Sequence, residues 1–441
     1  MKRQSNKKII SDPSRYKELV PKYVKMLRSL SSKYSVTDDD TFSNLVNFKQ
    51  NKDVPRHSWF SYKQGFSKEL VEYIVLRENV SKKRLVLDPF SGVGTTNLVA
   101  GSLGYKSVGI DINPVATLAS NVKCKHYKKA DIKNINSLIR KASFTRSSRH
   151  IPKSPLLEKS FPKSNFNKLM RIKGFFELIS DNVAKSFFKL AYLSIIEDCS
   201  WRVKDGNGLK MVPDKKIVKD VYGYYLDRCT KMLDEIGMLK IKEEPIIING
   251  SMMLNGHSSS VKKNEVGIVI FSPPYANCFD YCEVYKLELW MGGFVKEYGD
   301  FKTFREMAMR SHVNSSFDHG IKNKNKKVSL VTDTISCFNI WNKNIPDMIR
   351  GYFDDMTELF LRLKDVMASG TSCYIVVANS GYKGVLVPTD LLLADIARGL
   401  GFKIRKIIKA RKIRASSQQM DELHNDYDNL MRESIVILEK E

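Results

Sequence analysis

Hydrophobic positions along the chain alternate between two periods. Tyr16, Leu19, Val20, Tyr23, Val24 and Leu27 recur at helical spacing in an otherwise polar stretch, predicting a helical arm over residues 1–58. Leu70, Val71, Ile74 and Val75 follow Ser67, a residue suited to cap a helix. Leu85-Val86-Leu87 is a short continuous apolar run and predicts a buried strand; a helix over Thr95–Leu103 and a second strand over Ser107–Asp111 follow it. This is the strand-helix-strand unit of an open α/β sheet.

Strand patterning returns at Pro245–Ile248 and Gly267–Phe271. Between the two sheet-forming regions lie on the order of 100 residues more than regular crossovers need. Residues 125–243 are therefore read as an insertion: a basic, Ser/Pro-punctuated start, a helical run from Phe175 to Cys199, a glycine turn at Lys204–Gly208, and a helix over about Val218–Leu239. The polar stretch Arg310–Lys327 reads as a mobile loop. A helix over Tyr352–Met367, a strand over Ser372–Ala378, a helix from Pro388 to Leu400, and a terminal hairpin of Lys403–Lys409 with Ser434–Glu439 complete the pattern. The domains implied are the arm 1–58, a catalytic domain of 59–124 with 244–441, and the insertion 125–243. The fold class is α/β, a Rossmann-like sheet with helices on both faces and a large, mainly helical insertion.

Charge changes the picture. The 441 residues carry 73 Lys and Arg against 48 Asp and Glu, a net +25, which points to a polyanionic partner. The excess is concentrated: between Lys123 and Lys173 the only acids are Asp131 and Glu158. Lys128, Lys129, Arg140, Lys141, Arg146 and Arg149 of that stretch are the candidate nucleic-acid contacts, and the insertion is the candidate target-recognition region. No apolar run approaches the roughly 18 residues of a membrane span, and Met1–Lys8 lacks the apolar stretch of a signal peptide. Seven scattered cysteines argue against a disulfide framework. The chain reads as cytoplasmic, without membrane association and without a zinc pattern; Cys278 and Cys282 have no second pair of ligands at suitable spacing.

Two motifs carry chemistry. In Asp88-Pro89-Phe90-Ser91-Gly92-Val93-Gly94-Thr95-Thr96, the glycines let backbone approach a ligand, and the helix start behind them offers free amides. Asp111 ends the next strand about 20 residues on, where an acid can hold a ribose diol. Ser272-Pro273-Pro274-Tyr275 follows a strand's C-terminal end, the edge where open α/β sheets place ligands. Its prolines fix the backbone, and its aromatic ring can stack on an extruded base.

Together these motifs resemble those of the S-adenosylmethionine-dependent DNA amino-methyltransferases. The resemblance implies that Asp88, Pro89, Phe90, Gly92, Gly94, Thr95 and Thr96 line the cofactor and that Asp111 holds its ribose. Gly65-Phe66-Ser67-Lys68-Glu69-Leu70 is similar to the family motif whose aromatic packs on the cofactor, which places Phe66 there. Ser272-Pro273-Pro274-Tyr275 looks like the catalytic tetrad, in which Ser272 and the Pro273 carbonyl hold the exocyclic amine and Tyr275 stacks on the flipped base. Ala378-Asn379-Ser380-Gly381 with Val387-Pro388-Thr389-Asp390, and Arg432-Glu433-Ser434-Ile435-Val436, look like the later pocket motifs.

In the family Ser at the tetrad's first position accompanies cytosine N4, and Asp or Asn accompanies adenine N6, so the resemblance implies N4-cytosine methylation of double-stranded DNA. It also implies a place in a restriction-modification or defence system with a cognate endonuclease. The order of the motifs, cofactor half first, is commoner with adenine enzymes and keeps N6-adenine open as the alternative. An RNA base amino-methyltransferase and a catalytically silent nucleic-acid-binding protein are further alternatives. Cytosine C5 chemistry, which needs a cysteine nucleophile, is disfavoured by the lack of a Pro-Cys pair. One departure stands out: Ser251 occupies the place where an acid would contact the cofactor's adenine.

Overall fold

A computed structural model describes residues 10–62, 65–206, 208–253, 261–315, 317, 320–413 and 430–441. The polar N-terminus Met1–Lys8 and Asn207 of the glycine turn lie outside these residues. The strands described are β1 (Val36–Asp38), β2 (Leu85–Asp88), β3 (Ser107–Asp111), β4 (Arg202–Asp205), β5 (Gly208–Met211), β6 (Ile246–Asn249), β7 (Val266–Phe271), β8 (Met367–Ala378), β9 (Ser380–Tyr382), β10 (Val385–Val387), β11 (Phe402–Lys412) and β12 (Arg432–Lys440). Contacts divide the chain into two compact units, one of residues 1–46, 252–279 and 308–441, the other of 47–251 and 280–307. The insertion 125–243 lies within the second unit.

In the second unit β2, β3 and β6 run parallel in that order, with Val86 opposite Ser107 and Val108 opposite Ile246. All four residues of β2 are buried, as expected of a strand covered on both faces. The helix Thr95–Leu103 starts after Gly94 and stops at Gly104, both at φ 82°. In Gly104 this is the left-handed geometry that ends many helices. The next helix, Pro114–Lys123, is fixed by the Asn113 side chain, which accepts from Val115 N, and by Pro114 at its first turn. Ser67 caps Lys68–Arg77 by accepting from Leu70 N.

The insertion is mainly helical: Lys129–Arg140, Pro155–Ser160, Lys163–Glu177, Asn182–Ser194 and Val221–Met238. The expected continuous helical run from Phe175 to Cys199 is broken, because Asp181 caps a new helix by accepting from Ala184 N. The glycine turn at 204–208 lies inside an antiparallel hairpin of β4 and β5.

In the first unit the strand order is β1-β11-β12-β8-β7. β7 and β8 are parallel and β12 is antiparallel to both of its neighbours, so the terminal hairpin expected from the sequence is present as β11 and β12. Every residue of β7 is buried. The helix expected over Tyr352–Met367 spans Ile345–Val366, starting at a Pro346 placed in its first turn. The stretch read as a mobile loop is tied down at its described ends. Arg310 ion-pairs with Asp354 and Asp355 at 2.7 and 2.6 Å. Asp354 also accepts from the backbone of Lys322 and Asn323, and a helix begins at Lys326.

Candidate functional site

The glycine loop of the second unit is a preorganised set of backbone and carboxylate groups. Asp88, at the end of β2, accepts from Phe90 N at 3.0 Å and from Thr96 Oγ1 at 2.6 Å. Asp111, at the end of β3, accepts from Gly92 N at 2.9 Å and Asn113 N at 2.8 Å. The two carboxylates thereby fix both ends of the turn. Burial pushes the Asp88 carboxyl up to about 7, against the lowering effect of the Thr96 and Phe90 donors. Burial likewise raises Asp111 to about 6. No cation offsets either group among the described interactions, so both are acceptors in want of further donors.

Gly94 is required twice over. Its φ of 82° strains any side chain, and a Cβ there would stand 2.2 Å from Ser120 Oγ. Gly92, at φ 49°, faces Tyr62, whose ring would lie 3.2 Å from an added Cβ. Pro89, Thr95 and Thr96 are buried, Phe90 is half-buried, and Ser91 Oγ is buried with no hydrogen-bond partner among the described residues. A glycine cradle, two carboxylates able to accept from hydroxyls or an ammonium, and an unpaired buried hydroxyl fit an S-adenosylmethionine molecule. Asp111 would take the ribose diol and Asp88 the methionine side.

Phe66 is buried, and its carbonyl accepts from Asn51 Nδ2. A more conspicuous aromatic of the same segment, Tyr62, stacks on Tyr285 at 4.8 Å between ring centroids and on Tyr281 at 5.9 Å. Sequence reasoning missed this stack, since more than 200 residues separate its members; the run of Tyr281 and Tyr285 at i, i+4 is the signal available for it. At the end of β6, Asn249 Nδ2 donates to the carbonyls of Asp111 and Ile112, each at 3.1 Å. Asn249 thus braces the strand end that carries Asp111, and Ser251 beyond it is buried.

In the first unit Ser272-Pro273-Pro274-Tyr275 leaves the C-terminal end of β7. Pro273 is buried, and Ser272, Pro274 and Tyr275 are half-buried. Ser272 Oγ donates to Tyr275 Oη at 3.4 Å, and Tyr275 Oη donates to Glu433 Oε1 at 2.6 Å. The other Glu433 oxygen accepts from Arg411 Nε at 2.5 Å. The loop continues through Cys278, at φ 67°, and is held by Tyr382, whose hydroxyl donates to Ala276 O at 2.7 Å. Glu433 on β12 is placed by a buried network behind it. Asp390 accepts from Arg432 Nε and Ser434 Oγ, each at 2.8 Å, and Asp390 N donates to Asn379 Oδ1. The motifs around Asn379, Asp390 and Arg432 therefore meet, and sequence reasoning missed the parts that Glu433 and Arg411 play beside Tyr275.

Lys128, Lys129, Arg140, Lys141, Arg146 and Arg149 are all exposed. Lys129 and Arg140 lie at the two ends of one helix. No carboxylate forms an ion pair with any of the six among the described residues, a disposition suited to phosphate contacts.

A glycine cradle between two buried carboxylates, set in a parallel strand-helix-strand unit, is an arrangement suited to a nucleotide-like cofactor, and S-adenosylmethionine is the cofactor that the DNA methylase match implies. Residues 3–121 match the DNA methylase family. The chain is 28% identical to the type II methyltransferase M.BsoBI of Geobacillus stearothermophilus, covering 92% of this chain and 90% of that protein. It is 24% identical to M.AvaI of Nostoc sp., covering 85% of each. The geranyl diphosphate C-methyltransferase of Streptomyces coelicolor A3(2), solved with S-adenosyl-L-homocysteine, superposes with a TM-score of 0.32 at 4% identity, covering 98% of this chain and 99% of that one. The family match over the N-terminal quarter and the type II methyltransferases along most of the chain together support a likeness to the DNA amino-methyltransferases. Among the described residues no helix is long and apolar enough to cross a membrane.

Proposed function

We propose that the protein transfers a methyl group from S-adenosylmethionine to the exocyclic N4 of cytosine in double-stranded DNA. The observation that carries the choice of base is Ser272 at the head of the tetrad. Its oxygen, while donating to Tyr275, retains lone pairs that can accept from an amine. An exocyclic amine is a poor nucleophile because its lone pair is delocalised into the ring. Acceptance of its hydrogens by Ser272 Oγ and the Pro273 carbonyl favours a tetrahedral nitrogen whose lone pair is available for attack.

S-adenosylmethionine supplies an electrophilic methyl on a sulfonium. The chain's residues position the partners and exclude water, and no covalent enzyme intermediate is needed. Tyr275, held by Glu433, offers its ring to the extruded base. Asp88, Pro89, Phe90, Gly92, Gly94, Thr95, Thr96 and Asp111, with Phe66, form the cofactor-binding set. Lys128, Lys129, Arg140, Lys141, Arg146 and Arg149 neutralise phosphates and set register without reading bases; the insertion that bears them is the target-recognition region. Relatives named as type II methyltransferases favour a place in a restriction-modification system beside a cognate endonuclease.

N6-adenine methylation is the second reading, favoured by the order of the motifs. The deciding experiment incubates the purified protein with labelled S-adenosylmethionine and DNA, digests to nucleosides and identifies the product by mass spectrometry. N4-methylcytosine is expected; N6-methyladenine would overturn the reading of Ser272 while keeping the mechanism.

A further inference from the structure

The insertion contains a buried cation that a nucleic-acid contact does not explain. Lys204, on β4, has a side chain only 8% exposed, and its ammonium is paired with Glu197 at 2.8 Å and with Glu288. Glu197 also accepts from Lys204 N at 3.0 Å, so the hairpin is tied to this carboxylate by backbone as well as side chain. Glu288 belongs to the helix Lys286–Met291, far along the chain from the insertion. Burial opposes the Lys204 charge, but the Glu288 and Glu197 carboxylates outweigh it and hold the ammonium above its ordinary value.

The same ammonium lies 5.1 Å from the centroid of the Tyr285 ring. Tyr285 stacks face to face on Tyr62, with ring planes 10° apart. Tyr62 in turn is the side chain that an added Cβ on Gly92 would meet first. A continuous column therefore runs from the carboxylate pair through Lys204, Tyr285 and Tyr62 to the glycine loop. A cation over an aromatic face is worth more when desolvated, and removing Lys204 leaves the buried Glu288 carboxylate uncompensated, beside a half-buried Glu197.

We propose that Lys204 is a positioning residue for cofactor binding, through which the β4–β5 hairpin of the insertion holds the Tyr285–Tyr62 stack against the glycine loop. The inference rests on the assignment of that loop to S-adenosylmethionine. It gives the insertion a second role: it supports the cofactor half of the enzyme as well as presenting basic residues to DNA.

The test compares the full-length parent with Lys204→Met by titrating S-adenosylmethionine calorimetrically, measuring kcat at saturating cofactor, and measuring DNA affinity without cofactor. The dissociation constant for S-adenosylmethionine should rise roughly tenfold, with kcat at saturation and DNA affinity retained. Binding within about twofold of the parent in a folded variant overturns the proposal, and so does a loss seen in DNA affinity alone. Because Lys204→Met can destabilise the fold, Tyr285→Phe and Tyr285→Leu give an independent reading. The phenylalanine keeps the ring and should keep affinity, whereas the leucine should lose it; equal affinities would overturn the column. A parent protein that binds no S-adenosylmethionine would instead remove the assignment of the loop itself.

Discussion

Tyr275 is held by a charge-assisted hydrogen bond, so its contribution should disappear with its partner's charge. Tyr275→Phe keeps the ring for stacking and removes the 2.6 Å bond to Glu433, whose second oxygen remains paired with Arg411. Glu433→Gln keeps the shape and removes the charge that both Tyr275 and Arg411 address. A hydrogen bond to a charged group is worth about 1.5–3 kcal/mol net. Tyr275 is half-buried and Glu433 is shared with Arg411, so the lower end applies. Each single change should therefore reduce kcat/KM for DNA by roughly 1–1.5 kcal/mol, about five- to twelvefold. The double variant should be little worse than Glu433→Gln alone, with a coupling of about 1 kcal/mol. The assay is steady-state transfer of labelled methyl into DNA, with kcat/KM measured for all four proteins. The KM for S-adenosylmethionine should not change. Effects that add to within about 0.5 kcal/mol would refute the claim that Glu433 works through Tyr275, as would a Tyr275→Phe enzyme with the parent's kcat/KM.

Three further outcomes are expected. Gly94→Ala should destabilise the protein by about 2 kcal/mol or more in urea unfolding, because the left-handed strain of about 1–2 kcal/mol is joined by the clash with Ser120. Gly104→Ala has the same φ but nothing nearer than 3.5 Å to its added Cβ; it should cost only the strain, and equal costs would show that the Ser120 clash is relieved freely. Asp88 is raised from 3.8 to about 7 in the folded protein, so the native state holds a proton that the unfolded chain has released across this window. Its contribution to stability is present below 3.8 and lost as pH rises through about 7. Urea unfolding of the unliganded protein should therefore show Asp88→Asn gaining on the parent between about pH 5 and pH 7.5, and a pH-independent difference would contradict the raised carboxyl. Reversing Arg140 and Lys141 to Glu should weaken DNA binding at least tenfold and lower the salt slope by about two; an unchanged slope would place the DNA elsewhere.

How far the sequence reached follows from the range of each interaction. Local rules were sufficient for the glycine loop: the apolar run Leu85–Leu87, the glycines 92 and 94, and Asp111 at the next strand end are separated by few residues, and a hydrogen bond from Gly92 N to the Asp111 carboxylate joins the loop to that strand end. The terminal hairpin was legible for the same reason. β1 was not, because Val36–Asp38 is too short to show a period and exists by pairing in parallel with Ile407–Lys409. The helical run from Phe175 was overextended because apolar periodicity continues across the Asp181 cap. The basic stretch concealed a helix, Lys129–Arg140, whose Ile132, Ile135, Leu138 and Ile139 recur at helical spacing; the concentration of charge was read there and the period was not.

The residues that complete the site were beyond such reading for a physical reason. Glu433 reaches Tyr275 only because β12 is fixed beside β8, with Glu433 opposite Ala378. The buried Asp390–Arg432 pair at 2.8 Å ties β12 to the start of the helix Thr389–Gly399. Breaking a buried pair leaves one charge uncompensated, at a cost of about 3–5 kcal/mol. Arg432→Met should therefore unfold or strongly destabilise the protein, while the simultaneous change Arg432→Met with Asp390→Leu should recover much of the stability. If the pair serves mainly to set the register of Glu433, that recovered double variant should still methylate poorly, with the same loss in kcat/KM as Glu433→Gln. A stable double variant with the parent's activity would show instead that backbone pairing of β12 to β8 is enough to aim the carboxylate at Tyr275.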